Sequence, residues 1–215
     1  MFDITTTDNR STTLMRSHPT SAVSALRAMA PVGALSTAAA LRLAQTQADQ
    51  LLAIAGVEEP PVFATIITRQ PGIVLSTSRL LPVSGLTFRY RGHWRIVINS
   101  AEPWTRRRTT LAHEFKHIID HPDVARLYAG PPGNATRRAE TAADFFAGAL
   151  LMPAPMVRTA YRHTQDVASL AHRFAVSPTA MRVRLRQLHL IPTATDTNTH
   201  TNRRSKEATE PREAA

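Results

Sequence analysis

The chain has 215 residues, which suits one domain with extended ends, and its formal net charge is +10. It contains no cysteine, which excludes disulfides and thiolate ligands, so any metal must be bound by histidine and carboxylate. No apolar run approaches the roughly 18 residues of a membrane span, and we expect a cytoplasmic protein without membrane contact.

The two ends of the chain differ in composition from its middle. Residues 1–35 begin with many Thr, Ser, Asp and Asn, and we expect them to form a flexible extension. A single domain over residues 36–191 follows, which includes a helical C-terminal segment at 156–191. The polar, Thr-rich residues 192–215 are expected to form a disordered tail. Within the domain, Ser36 to Ala55 has the apolar spacing of a helix.

The next part of the chain is rich in β-branched side chains. Residues 62–69 and 72–78 are separated by Pro71-Gly72, which predicts two short strands and a turn. Residues 86–90 and 94–99 follow, separated by a short turn that contains glycine, and this pattern predicts a β-hairpin.

The second hairpin strand is the last strand before the most informative motif of the chain. An edge strand beside a metal can hold an extended peptide by adding it to the sheet. We therefore assign a substrate-binding role to Arg95, Val97 and Asn99. The alternative is that this strand only packs under the following helix.

That motif is His113-Glu114-Phe115-Lys116-His117, in a segment whose apolar residues recur at helical spacing. Residues four apart lie on one face of a helix, so His113 and His117 can bind the same ion. Glu114 borders that ion without being a ligand, and it can take a proton from a water bound there. The spacing therefore predicts two imidazole ligands and a general base.

A catalytic zinc needs a third protein ligand, and three residues are candidates. His121 continues the four-residue spacing but lies about 12 Å along the helix from His113. Asp123 is ten residues after His113, where one class of zinc protease has its third ligand, although the glycine turn of that class is missing. Glu140 shares a helix face with Asp144, so one can bind metal while the other fixes the tautomer of a ligand histidine. This pairing favours Glu140.

Several stretches together resemble one known family. They are Arg106-Arg107-Arg108-Thr109-Thr110, Leu111-Ala112-His113-Glu114, Glu140-Thr141-Ala142-Ala143-Asp144, Leu150-Leu151-Met152-Pro153 and the segment from Leu170 to Leu188. In combination they are similar to the ImmA/IrrE metallopeptidases over about residues 41–191. The chain departs from the family pattern at Lys116 and His189, two positions at which glycine is common in the family.

The resemblance implies a zinc-dependent endopeptidase. Its relatives cleave or inactivate helix-turn-helix transcriptional repressors of mobile elements and of DNA-damage responses. Carried over, His113, His117 and Glu140 would bind zinc and Glu114 would be the catalytic base, while the supporting role of Asp144 rests on its spacing. We expect an α+β fold, with a small antiparallel or mixed sheet packed on the zinc helix and a helical, helix-turn-helix-like C-terminal portion.

The basic C-terminal segment supports an alternative function. Arg182, Arg184 and Arg186 lie in a predicted helix that starts near Ser177, and they would neutralise phosphates if this helix entered a DNA groove. The protein would then be a DNA-binding or partner-binding regulator, such as an antirepressor, that acts without proteolysis. The presence of Glu114 argues against this alternative, because binding alone has no chemical need for a base.

Overall fold

The structure, a computed structural model, describes residues 21–131 and 134–192. In chain order the elements are helices α1 (Ala22–Ala28), α2 (Thr37–Ala55) and α3 (Thr65–Thr68), strands β1 (Ile73–Ser78), β2 (Gly85–Tyr90) and β3 (His93–Asn99), and helices α4 (Trp104–Asp120), α5 (Val124–Leu127), α6 (Asn134–Leu151), α7 (Ala154–His163), α8 (Val167–Phe174) and α9 (Pro178–Gln187). This arrangement confirms the expected α+β class. No helix in the described residues is both long and apolar enough to cross a bilayer.

The three strands form one mixed sheet in the order β1-β3-β2. β1 pairs in parallel with β3, and β2 pairs antiparallel with β3. The two strands of the predicted hairpin are therefore neighbours. Arg91 and Gly92 at the turn have φ values of 50° and 81°, the left-handed conformation that a two-residue hairpin turn requires. β3 is thus the central strand of the sheet.

The strand predicted at residues 62–69 is wrong. Thr65–Thr68 forms the one-turn helix α3, and only the following Ile73–Ser78 is a strand. Val62 and Ile67 are nonetheless buried in the core. The β-branched composition of this segment therefore reflects burial of a compact turn and not strand pairing.

Helix α1 lies within the segment expected to be a flexible extension, so the structure differs from that expectation over Ala22–Ala28. Leu26 is fully buried. The guanidinium of Arg27 donates hydrogen bonds to the carbonyl oxygens of Ile118 and Ile119, at 2.7 and 3.2 Å. These contacts dock α1 against the C-terminal end of α4.

The main core lies between the sheet and helices α2, α4 and α6, which pack against one another in the order α2, α6, α4. The rings of Phe115 in α4 and Phe146 in α6 are both buried, with their centroids 6.3 Å apart. Fully burying a side chain of this kind contributes about 1.5–3 kcal/mol. The packing fixes α4 relative to α6, and each of these helices carries candidate metal ligands.

Arg108 ties α4 to two other parts of the fold. Its side chain is buried, and the guanidinium donates hydrogen bonds to the main-chain carbonyl oxygens of Val62, Phe174 and Ala175. The first acceptor precedes α3 and the other two end α8. One side chain therefore links α4 to the C-terminal helices.

Helices α8 and α9 form the expected helical C-terminal portion, and the side chain of Ser177 caps α9. Arg184 points inward with an exposure of 1% and donates a hydrogen bond to the carbonyl oxygen of Met152 at 3.0 Å. Burial lowers the pKa of its guanidinium to about 10. Arg184 is therefore unavailable to phosphates, whereas Arg182 and Arg186 are exposed.

Candidate metal centre

Two helices bring three potential metal ligands together. α4 carries His113 and His117 four residues apart, and α6 carries Glu140. Nε2 of His113 lies 3.0 Å from Nε2 of His117 and 3.1 Å from Oε2 of Glu140. Oε1 of Glu140 lies 3.4 Å from Nε2 of His117. The ligand atoms thus surround one small volume, as the sequence prediction requires.

These separations fit a single metal ion. Ligand atoms about 2.0–2.1 Å from a tetrahedral ion lie about 3.3 Å from one another. A set of two imidazoles and one carboxylate leaves the fourth position of such an ion open to water or substrate. The carboxylate of Glu140 is half-exposed, so the cluster is open to solvent on one side.

Asp144, one helical turn after Glu140, orients the first histidine. Nδ1 of His113 donates a hydrogen bond to Oδ1 of Asp144 at 2.9 Å, which leaves Nε2 with a free lone pair for a metal. This geometry is the one expected from the spacing of the two carboxylates. The hydrogen bond to His113 also holds the pKa of Asp144 below its usual range.

The pKa values of the two histidines are shifted in opposite directions. Burial lowers the pKa of His113, but the hydrogen bond and charge of Asp144, together with the charges of Glu140 and Glu114, raise that pKa above its ordinary value. Burial and the neighbouring His113 lower the pKa of His117. A lowered pKa keeps His117 neutral at pH 7, the form that binds a metal.

Glu114 lies buried between α4 and the start of β2. A Cβ atom added to Gly85 would be 2.9 Å from Oε1 of Glu114 and 2.5 Å from Cγ2 of Thr110. Only a residue without a side chain lets β2 come this close to α4. Gly85 was not predicted to belong to the site, although a glycine at the head of an apolar strand is a visible signal of close backbone approach.

Replacing Gly85 by alanine is expected to lower the free energy of unfolding by about 1–3 kcal/mol, the usual cost of overpacking. The peptidase activity expected from the sequence should also fall, because either Glu114 or β2 must shift. Urea denaturation and a peptide cleavage assay check the two effects.

Gly148→Ala in α6 is the matched control. A Cβ added there would meet nothing closer than 3.9 Å, and alanine stabilises a helix interior by about 0.5–1 kcal/mol relative to glycine. If Gly85→Ala behaved like Gly148→Ala, the close approach of β2 to Glu114 would be contradicted.

The substrate-binding role assigned to Arg95, Val97 and Asn99 is wrong in its premise, because β3 is not an edge strand. Its main chain pairs with β1 on one side and β2 on the other, so it offers no free row of hydrogen-bonding groups. Strand order depends on how distant segments pack, which a local pattern does not report. The side chain of Asn99 donates to the carbonyl oxygen of Leu81 and so holds a loop.

β2 is the edge strand beside the ligand cluster. Gly85, Leu86 and Thr87 line the cleft that also contains His113 and Glu114. Within the sheet that the structure describes, β2 pairs only with β3, so its other edge is free. The site therefore has an open strand edge next to both the ligand atoms and the carboxylate of Glu114.

The other two candidates for a third ligand, His121 and Asp123, make different contacts. The ring of His121 stands edge-on to Trp94, with centroids 4.6 Å apart, and both side chains form a wall of the cleft. Asp123 forms an ion pair with Arg126 at 2.8 Å. Neither residue belongs to the cluster of ligand atoms that includes Glu140.

A buried polar network joins the helix of the two histidines to Tyr128, which follows α5. The ammonium of Lys116, which is fully buried, pairs with Oδ1 of Asp120 at 2.5 Å. The hydroxyl of Tyr128, also fully buried, donates to Oδ2 of Asp120 at 2.6 Å. Burial lowers the pKa of Lys116 and raises the pKa of Tyr128. The network fastens the end of α4 to the segment after α5.

Comparison with known proteins gives a match over more than half of the chain. A peptidase family model described as the IrrE N-terminal-like domain matches residues 68–186. A solved structure of a Mycobacterium tuberculosis transcriptional regulator is similar, with a TM-score of 0.55 and 18% identity, covering 66% of this chain and 46% of that chain. This chain thus spans less than half the length of that regulator, and the likeness shows the fold alone. No curated protein matches the chain.

Proposed function

Because the chain belongs to the IrrE N-terminal-like family of peptidases, we propose that it is a zinc-dependent endopeptidase. The observation that carries the proposal is the convergence of ligand atoms from His113, His117 and Glu140 beside the carboxylate of Glu114. Two imidazoles and a carboxylate on two rigidly packed helices are a donor set suited to zinc.

Each residue of the site has a distinct role in peptide hydrolysis. His113, His117 and Glu140 would hold a zinc ion, which when bound lowers the pKa of water to about 7 and polarises a carbonyl group. Glu114 accepts the proton of the attacking water and then donates it to the leaving amine. Asp144 keeps the ring of His113 in one tautomer and one orientation.

The free edge of β2 would bind the main chain of the substrate. An extended peptide added to this edge gains main-chain hydrogen bonds, which position it without regard to its sequence. Because Gly85 lies against Glu114, a peptide on this edge runs past the base. This role replaces the one assigned from the sequence to β3.

We further propose that the substrate is a helix-turn-helix transcriptional repressor, in a mobile-element or DNA-damage response. The family resemblance supports this target. The alternative is a DNA-binding regulator or antirepressor without proteolysis. It draws on the exposed Arg182 and Arg186 of α9, and the burial of Arg184 weakens it.

Metal analysis tests the proposed ligand set. We expect about one zinc ion per chain in protein purified without added metal, as for a mononuclear site. Glu140→Ala should lose most of this zinc because the third ligand is gone. Asp123→Ala is the matched control and should keep it, because Asp123 pairs with Arg126.

The zinc content of the wild type decides the proposal. A wild-type protein that neither contains zinc nor takes it up when zinc is supplied would contradict the peptidase function. Zinc that is lost in Asp123→Ala but kept in Glu140→Ala would overturn the assignment of the third ligand.

A further inference from the structure

One face of the sheet is turned away from α4 and is exposed. Side chains alternate between the two faces of a strand, and Gly85 and Thr87 lie on the α4 side of β2. Leu86, Phe88 and Tyr90 therefore lie on the opposite face, where they are 46%, 38% and 45% exposed. The site described above uses none of these three side chains beyond the rim position of Leu86.

The stretch of sequence that forms the sheet carries arginines and no acidic residue. No aspartate or glutamate occurs between Glu59 and Glu102. The same stretch contains five arginines, Arg69, Arg79, Arg89, Arg91 and Arg95, of which Arg89 lies on the α4 side of β2 with Gly85 and Thr87. Glu102 accepts a hydrogen bond from Ser84, which directly precedes β2. Glu102 therefore lies at the opposite end of this strand from Tyr90, the last residue of β2. An anionic partner would therefore meet no acidic side chain from the strands of the sheet.

Two of these arginines are held in place by an aromatic ring. The guanidinium carbons of Arg91 and Arg95 lie 5.2 and 5.0 Å from the ring centroid of Tyr90. Cation–π contacts of this kind fix the direction of a guanidinium. Less rotamer freedom is then lost when the group binds a phosphate.

We propose that this surface binds single-stranded nucleic acid. We call it the sheet platform and define it as Phe88, Tyr90, Arg91 and Arg95. Alternate side chains on one strand are about 6.8 Å apart. The platform can therefore stack one unpaired base on Phe88 and the next base on Tyr90 with its two arginines, Arg91 and Arg95. Arg91 and Arg95 contact the phosphates. Exposed aromatic rings combined with arginines are what such sites use.

The aromatic rings favour a single strand over other polyanions. An acidic protein would match the charge, but in an unpaired strand every unit carries both a phosphate and a flat ring that can stack on Phe88. A duplex exposes phosphates but hides the faces of its bases. The proposal goes beyond the peptidase function and does not depend on it, because the platform shares no residue with the ligand cluster.

Fluorescence anisotropy of a labelled oligothymidylate with the full chain tests the platform. Phe88→Ala and Tyr90→Ala are each expected to raise the dissociation constant by about 5- to 150-fold, the range for loss of one stacking side chain. Phe63→Ala is the matched control, because Phe63 is 68% exposed but precedes α3. Melting temperatures check that each variant remains folded.

The salt dependence tests the arginines separately. The double variant Arg91→Gln/Arg95→Gln should reduce the slope of log affinity against log salt by about 1.4, or roughly 0.7 per lost phosphate contact. Arg182→Gln/Arg186→Gln on α9 removes the same charge from another surface and should leave the slope unchanged.

Three outcomes would overturn the proposal. The first is that the oligonucleotide does not bind at low salt. The second is that only the α9 variant loses affinity, which would place the contact on α9. The third is that polyglutamate competes fully while the Phe88 and Tyr90 variants bind like the wild type, which would make the face a site for acidic proteins.

Discussion

Replacement of Glu114 by glutamine is expected to reduce peptide hydrolysis by about 10²- to 10⁴-fold, the usual contribution of a general base. Glutamine has nearly the same size, so the packing of Glu114 against Gly85 and Thr110 is kept. Its amide cannot accept the proton of the attacking water. The zinc content should not change, because Glu114 supplies none of the three clustered ligand atoms.

Cleavage of a purified target or a quenched fluorescent peptide measures this effect, with zinc per chain determined on the same samples. Glu102→Gln is a suitable control, because Glu102 precedes α4 and bonds to Ser84 instead of the reacting groups. Full activity of the Glu114 variant would contradict the proposed mechanism. Loss of zinc in that variant would show that Glu114 acts as a ligand.

Replacement of Asp120 by alanine is expected to lower the free energy of unfolding by about 3–5 kcal/mol, the usual cost of breaking a buried ion pair. The variant leaves the ammonium of Lys116 buried without its counter-charge and leaves the hydroxyl of Tyr128 without its acceptor. Both groups were shielded from water by the native packing, so neither recovers its lost interaction easily.

Urea denaturation followed by circular dichroism, at one fixed zinc concentration, measures this loss. The double variant Lys116→Met/Asp120→Asn removes both charges and keeps an oxygen that can accept from Tyr128. It should therefore recover most of the stability, because an uncharged replacement of a buried pair is often neutral. A double variant as unstable as Asp120→Ala would indicate that packing, and not the unpaired charge, is responsible.

The sequence was most informative where the chemistry is local. His113 and His117 share a helix face because the helix repeat fixes their separation, and the same repeat pairs Glu140 with Asp144. The hairpin was equally predictable, since its two strands are joined by a turn of two residues that includes Gly92. These features depend on neighbours within a few residues.

The features that the sequence did not reveal depend on distant segments. The central position of β3 follows from the pairing of β1 across a long connection, which no spacing rule reports. The contact of Gly85 with Glu114 joins residues that are far apart in the chain. The docking of α1 through Arg27, and the burial of Lys116 against Asp120 and Tyr128, require the assembled core.

The contacts of Arg108 restrict which amino-acid substitutions this protein can accept. All its acceptors are main-chain carbonyl oxygens, so the link to Val62, Phe174 and Ala175 depends on the path of the backbone and not on the side chains there. A change of side chain at these three positions would leave the hydrogen bonds themselves intact, although Val62 and Phe174 are also constrained by their burial in the core. Arg108 has no such freedom, because the compact ammonium of lysine cannot reproduce a planar fork with several donors. These hydrogen bonds therefore constrain the identity of residue 108, but they do not constrain the identities of the residues that accept them.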